Sequence, residues 1–148
     1  MADVLREAFD YPFSRLDPTG AHIDPPSVAI YEPLLVKGPD WEPYPLLARS
    51  LAVSEDGLRW RIRLREGARF HSGTACTARA VLEAFDFLRH GGFEPGDQLW
   101  YWDPVATTRA VADDELEIVL RYPYARLPSL LWGTHTAVYH EALRLAER

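Results

Sequence analysis

The sequence has little of what staples or anchors a small protein. Its 148 residues include one cysteine, Cys76, so no intramolecular disulfide can form and no multi-thiolate metal site can be assembled. Basic excess is missing too: 16 Lys+Arg stand against 22 Asp+Glu for a formal charge of -6, which argues against nucleic acid as a main partner. No apolar run approaches a bilayer span, because the longest stretch without Asp, Glu, Lys or Arg, Leu127 to His140, is broken by Pro128 and Gly133. Met1 to Glu7 carries charges where a secretory leader has its apolar centre, so the chain as given reads as cytoplasmic or as one whose leader has been removed. A glycine-rich phosphate loop is also absent, since Gly91-Gly92 ends a helix instead of opening one. His135 and His140 do not share a helical face, and the acidic run Asp113, Asp114, Glu115 and Glu117 lacks the alternating ligands and glycine of a calcium loop. No metal or other cofactor is expected, and the acidic run reads as a solvated turn.

What is present suits one folded domain. Hydrophobic residues make up 47% and charged residues 26%, ordinary globular usage at a length that can bury a single core. Eight prolines between Tyr11 and Pro45 exclude a long helix or a central strand there, leaving loops around one short helix that starts at Ser27. An opening run, Val4 to Phe9, reads as a strand with no nearby partner. The clearest local signal is a hairpin in which Ser50 to Val53 and Leu58 to Leu64 flank Ser54-Glu55-Asp56-Gly57. Leu58, Trp60, Ile62 and Leu64 alternate with Arg59, Arg61, Arg63 and Arg65, predicting an apolar inner face and a solvated arginine face, with an anion site as the lesser reading. Thr77 caps a helix through Ala80, Val81, Ala84, Phe85 and Leu88. A second hairpin pairs Ala106–Ala112 with Glu115–Leu120, and short helices follow at Leu127–Trp132 and His140–Glu147. The pattern is α+β: a small mixed sheet built from two hairpins with flanking helices.

Two constellations bear on chemistry. His71 and Cys76 supply a base and a thiol five residues apart, but no orienting third group or oxyanion motif accompanies them, so a small hydrolase ranks last among the readings. Trp100, Tyr101 and Trp102 are three large rings in an irregular segment. Rings so placed either face a ligand or, more commonly, anchor the loop to a core.

Several stretches together resemble the family 5 extracellular solute-binding proteins of ABC importers, the oligopeptide and dipeptide receptors with their nickel-binding relatives. The resemblance runs through Leu16-Asp17-Pro18, Ile30-Tyr31-Glu32-Pro33-Leu34-Leu35 and Pro45-Leu46-Leu47-Ala48-Arg49-Ser50. It is most specific from Val53 to Thr74, which looks like the family signature, and it extends to Ala112–Leu120 and Pro123-Tyr124-Ala125. Ala78-Arg79-Ala80-Val81 departs from the acidic pair usual at that helix start, and Ser72 stands where aspartate is common.

The resemblance implies the lobe I subdomain of a type II periplasmic-binding-protein fold. Residues 1–45 would be the N-terminal strand and Pro-rich loop segment of lobe I and residues 46–148 a small α+β subdomain, the rest of lobe I and all of lobe II being absent. It implies a non-enzymatic, extracytoplasmic receptor, lipoprotein or periplasmic, that binds a peptide or similar small solute and delivers it to ABC permease subunits. The positions matching the cleft edge are Ala21, His22, Ile23 and Asp24, with Trp100, Tyr101 and Trp102 near the ligand opening. The alternative keeps the module and changes its role, to a cytoplasmic solute-sensing domain of a transcription regulator. An unpaired N-terminal strand further predicts a homodimer of the fragment in which each copy's first segment docks on the other.

Overall fold

A computed structural model describes residues 30–90 and 102–132. Eight elements follow one another: β1 (Leu35–Lys37), β2 (Pro43–Pro45), β3 (Ala48–Val53), β4 (Arg59–Leu64), α1 (Ala78–His90), β5 (Val105–Ala112), β6 (Glu115–Leu120) and α2 (Leu127–Leu130). The expected strand at Val4–Phe9, residues 27–29 of the expected Ser27 helix and the expected helix at His140–Glu147 lie outside the described residues; Ile30 is helical, and Tyr31, expected in the same helix, is not.

Both predicted hairpins form, and they join through their inner strands into one sheet of order β3-β4-β6-β5. Every pairing among the described strands is antiparallel, which corrects the expected mixed sheet: strands joined by short hairpin turns run in opposite directions. The first turn is fixed by its own side chains. Gly57 takes the left-handed conformation at φ 69°, the Leu58 N–H donates to Asp56 Oδ1 at 3.0 Å, and the Arg59 N–H donates to Ser54 Oγ at 2.9 Å. With the turn set, the period of two places Ile62 and Leu64 fully inward, Leu58 and Trp60 half-buried beside them, and Arg59, Arg61 and Arg63 on the opposite face.

The central strand β6 presents Leu116, Ile118 and Leu120 to the same core. Helix α1 covers that inner face with Val81, Ala84 and Phe85, and Phe85 meets the Trp102 ring at 5.0 Å between centroids. The Asp113-Asp114 turn does more than sit in solvent: its carbonyls accept from the Ala78 N–H at 2.7 Å and the Leu64 N–H at 2.8 Å, tying the start of α1 and the end of β4 to one point. Helix α1 has no acidic residue in its first turn, so its start depends on Thr77, whose Oγ1 accepts from the Ala80 N–H at 3.3 Å. Thr77→Ala is therefore expected to lower stability by about 1 kcal/mol in a urea titration, and an unchanged midpoint would mean the cap is not in use.

The Pro-rich segment holds one structure that the sequence reading treated as loop. Strands β1 and β2 pair through Leu35↔Pro45, Val36↔Tyr44 and Lys37↔Pro43. Proline has no N–H, so only Tyr44 can donate from β2, and the pair stays three residues long. The segment is anchored to the main body by backbone hydrogen bonds, from the Leu35 N–H to the Leu131 carbonyl at 3.0 Å and from the Ala48 N–H to the Leu34 carbonyl at 3.0 Å. Leu34 and Leu35 belong to the same buried cluster as Leu47, Ile62 and Leu127, so the core runs continuously across residue 45.

Candidate functional site

Three features of the described surface are candidates for function: the outer face of the sheet, a groove beside α1, and the tip of the β1–β2 hairpin.

On the outer face the cross-strand register brings Arg61 and Arg109 to either side of Glu117, and Arg63 opposite Glu115. Arg61 donates from Nε to Glu117 at 3.3 Å and from Nη1 to Glu115 at 3.3 Å. Arg63 Nε donates to Glu115 at 3.0 Å, and Arg109 reaches one Glu117 oxygen from Nε at 2.8 Å and from Nη2 at 2.7 Å. Glu115 and Glu117 lie on the strand that the second hairpin predicts, but where the acidic run reads as solvated they sit beneath arginines, and the Glu117 side chain is only 2% exposed. Long guanidinium stems cover the carboxylates while their charged ends stay wet.

Burial raises the Glu117 carboxyl, but the hydrogen bonds and charges of Arg109 and then Arg61 outweigh it and hold the group below its ordinary value of 4.5. A carboxylate depressed in the folded state contributes stability that is present above its unfolded pKa and is lost as pH falls through the folded one. Glu117→Gln is expected to cost about 1–2 kcal/mol at neutral pH, a modest figure because the two guanidiniums left behind are half in water. Its stability should also fall less steeply than that of the parent below about pH 4.5; parallel acid limbs in denaturation scans would refute this assignment.

The groove, of about 540 Å³, is open to solvent and runs between α1 and the edge strand β5, lined by Arg79, Leu82, Glu83, Asp86, Phe87, Thr108 and Ala110. Helical spacing puts Arg79, Glu83 and Asp86 on one side of α1, and Arg79 Nε donates to Glu83 Oε1 at 3.2 Å. The sequence reading missed it, because the signal is split between the polar face of a helix and two residues of a distant strand. At the hairpin tip Trp41 is exposed with φ 67°, and Lys37 Nζ lies 2.9 Å from its ring centroid.

Of the positions assigned to a ligand from sequence, the structure describes one. Trp102 is buried and stacks on Phe85, so it anchors its segment to the core in the way such rings more commonly do. Ala21, His22, Ile23, Asp24, Trp100 and Tyr101 lie outside the described residues. His71 is exposed, and burial pushes the Cys76 thiol up to about 11, so at neutral pH it is a protonated thiol and a poor nucleophile. Among the described residues no three His, Cys, Asp or Glu side chains come together as a metal site, and no helix is long and apolar enough to cross a membrane.

Comparison with known proteins bears on the whole arrangement. Residues 42–146 match the family described as bacterial extracellular solute-binding proteins, family 5 Middle. The chain is 32% identical over 100 residues to the nickel-binding periplasmic protein of Escherichia coli strain K12, an overlap of 64% of this chain and 18% of that one. It is 30% identical over 137 residues to the glutathione-binding protein GsiB of Escherichia coli O1:K1, covering 88% of this chain and 26% of the relative. Among solved structures, the peptide-binding pheromone receptor PrgZ superposes with a TM-score of 0.78 at 21% identity, covering 93% of this chain and 31% of the receptor. The chain thus spans about a quarter or less of these two curated relatives.

Proposed function

The chain belongs to family 5 of the bacterial extracellular solute-binding proteins, and from that membership we propose that it is the first-lobe portion of the substrate-binding component of an ABC importer. In this reading the complete receptor encloses a peptide or similar small solute outside the cytoplasm, in the periplasm or at the cell surface as a lipoprotein, and presents it to permease subunits. It performs no chemistry on the solute. The observation that carries the reading is the family match over residues 42–146, which spans the hairpins and helix of the described core. The names of the relatives, which speak of nickel, glutathione and peptide binding, support a small solute or peptide as the ligand.

The cleft edge falls in residues 21–24, with Trp100 and Tyr101 at the opening and Trp102 kept in the core, and the opposite wall comes from a second lobe. Within such a cleft an extended peptide is held through its backbone groups, and water-filled pockets accept varied side chains. Residues 1–45 act as the N-terminal part of lobe I and residues 46–148 as its attached subdomain, sharing one core through Leu34 and Leu35.

A chimera tests the reading. Replacing the matching stretch of GsiB with this chain's residues 42–146 is expected to give a protein that unfolds cooperatively and binds glutathione within about tenfold of its parent, since the swapped module keeps the lobe geometry. A chimera that folds yet shows no glutathione binding by calorimetry would sink the proposal.

A further inference from the structure

The arginine face of the sheet is not used by the core. Four guanidiniums, Arg59, Arg61, Arg63 and Arg109, share one face of the sheet with two carboxylates, Glu115 and Glu117, so the face has a surplus of two positive charges on a chain of net charge -6. The Arg61, Arg63 and Arg109 side chains are 50%, 55% and 61% exposed, although each is tethered to a glutamate beneath it. The tethers use Nε and Nη1 of Arg61, Nε alone of Arg63, and Nε and Nη2 of Arg109, so at least one terminal nitrogen of each stands outside these pairs. Arg59 closes no ion pair among the described residues; the Asp56 carboxyl is lowered first by its hydrogen bonds from Ser54 and Leu58, and the Arg59 charge adds only a lesser share.

We propose that this outer sheet face is a docking surface for an extended acidic protein segment that carries carboxylates at alternate residues. Three arginines of β4 recur every second residue, a repeat of about 7 Å along a strand, and an extended partner repeats its side chains at the same interval. The chain itself contains the pattern in miniature: Glu115 and Glu117, two residues apart on β6, engage Arg63 and Arg61. Guanidinium forks suit carboxylates, and side chains already held by buried glutamates lose less freedom when a partner arrives. A polyphosphate or nucleic acid fits less well, because two surplus charges release few counterions and the glutamates repel a dense phosphate backbone. This inference does not rest on the solute-binding reading, since it is argued from the sheet face alone.

The test is fluorescence anisotropy with a labelled peptide of about a dozen residues alternating Glu and Thr, titrated with the 148-residue chain at low salt. Saturable binding is expected, weakened at least about tenfold when the same glutamates are grouped in one block, and weakened about tenfold by Arg59→Glu at an unchanged thermal midpoint. Arg59→Lys should retain most of the affinity. Absence of saturable binding, equal binding of the block peptide, or indifference to Arg59→Glu would overturn the proposal. Tighter binding of a single-stranded DNA of similar length, or of anionic phosphatidylglycerol vesicles, would overturn it in favour of a general anion surface.

Discussion

Phe85→Ala is expected to destabilise the chain by about 3–5 kcal/mol, the largest effect of any single substitution considered for this fold. Phe85 is 1% exposed and heads the fully buried side chains by volume. It sits midway along α1, where its ring meets Trp102 and helps join the helix to the sheet carrying Ile62, Leu116 and Ile118. Truncation removes the transfer free energy of a phenyl ring, leaves a cavity that a helix pinned at Asp113 cannot readily close, and strips Trp102 of its aromatic partner. Small domains are stable by only about 5–15 kcal/mol, so the variant should lose much of its margin. Urea denaturation followed by far-ultraviolet circular dichroism measures it. A loss under about 1 kcal/mol would show that α1 contributes little to the core. Phe85→Leu, which keeps most of the volume, should recover much of the loss.

The second large effect concerns affinity. The 148-residue chain by itself is expected to bind a pool of tri- to pentapeptides at least about a thousandfold more weakly than a closed two-lobe receptor, placing it at millimolar or beyond. A solute pressed against one wall keeps half its surface in water. Its backbone groups then exchange one set of hydrogen bonds for another with little net gain, whereas enclosure removes the competing water and strengthens each contact. The chain spans 26% of the glutathione-binding relative's length, and in the two-lobe reading proposed above the opposing wall belongs to the part it does not span. Calorimetric titration decides the matter: micromolar binding by this chain alone would mean that the site is complete without a second lobe, and the two-lobe proposal would fall while the family membership stood.

Local chemistry settled a good deal in advance. The strict alternation from Leu58 to Arg65 determined both the strand and its register, because a period of two permits only one face to be apolar and a slip by one residue would bury three arginines. Asp56-Gly57 set the turn, since glycine takes φ 69° without strain and the Asp56 carboxylate accepts from the Leu58 N–H two residues on. Thr77 and the apolar spacing of Val81, Ala84 and Phe85 determined the helix and its buried side. The signature from Val53 to Thr74 sufficed to point to the family that the comparison over residues 42–146 bears out.

Other features depended on residues distant in sequence. The union of the two hairpins through β4 and β6 put Glu115 and Glu117 under Arg61 and Arg63, 52 and more residues away on β4, and so added to the nearby Arg109 of β5 the partners that turned an apparent acidic turn into buried ion pairs. The short β1–β2 pair was hidden because proline statistics speak against strands, while three residues can pair once Leu34 and Leu35 are held in a core supplied by β4, β6 and α2. Trp102 showed the same limit: its ring type favoured a core over a ligand without deciding between them, and the position of Phe85 on a neighbouring helix decided that it is buried. Periodicity and turn chemistry act within a few residues and can be read from the chain, whereas burial of a charge or an aromatic ring depends on which distant surface closes over it, and that is fixed only when the sheet and helix come together.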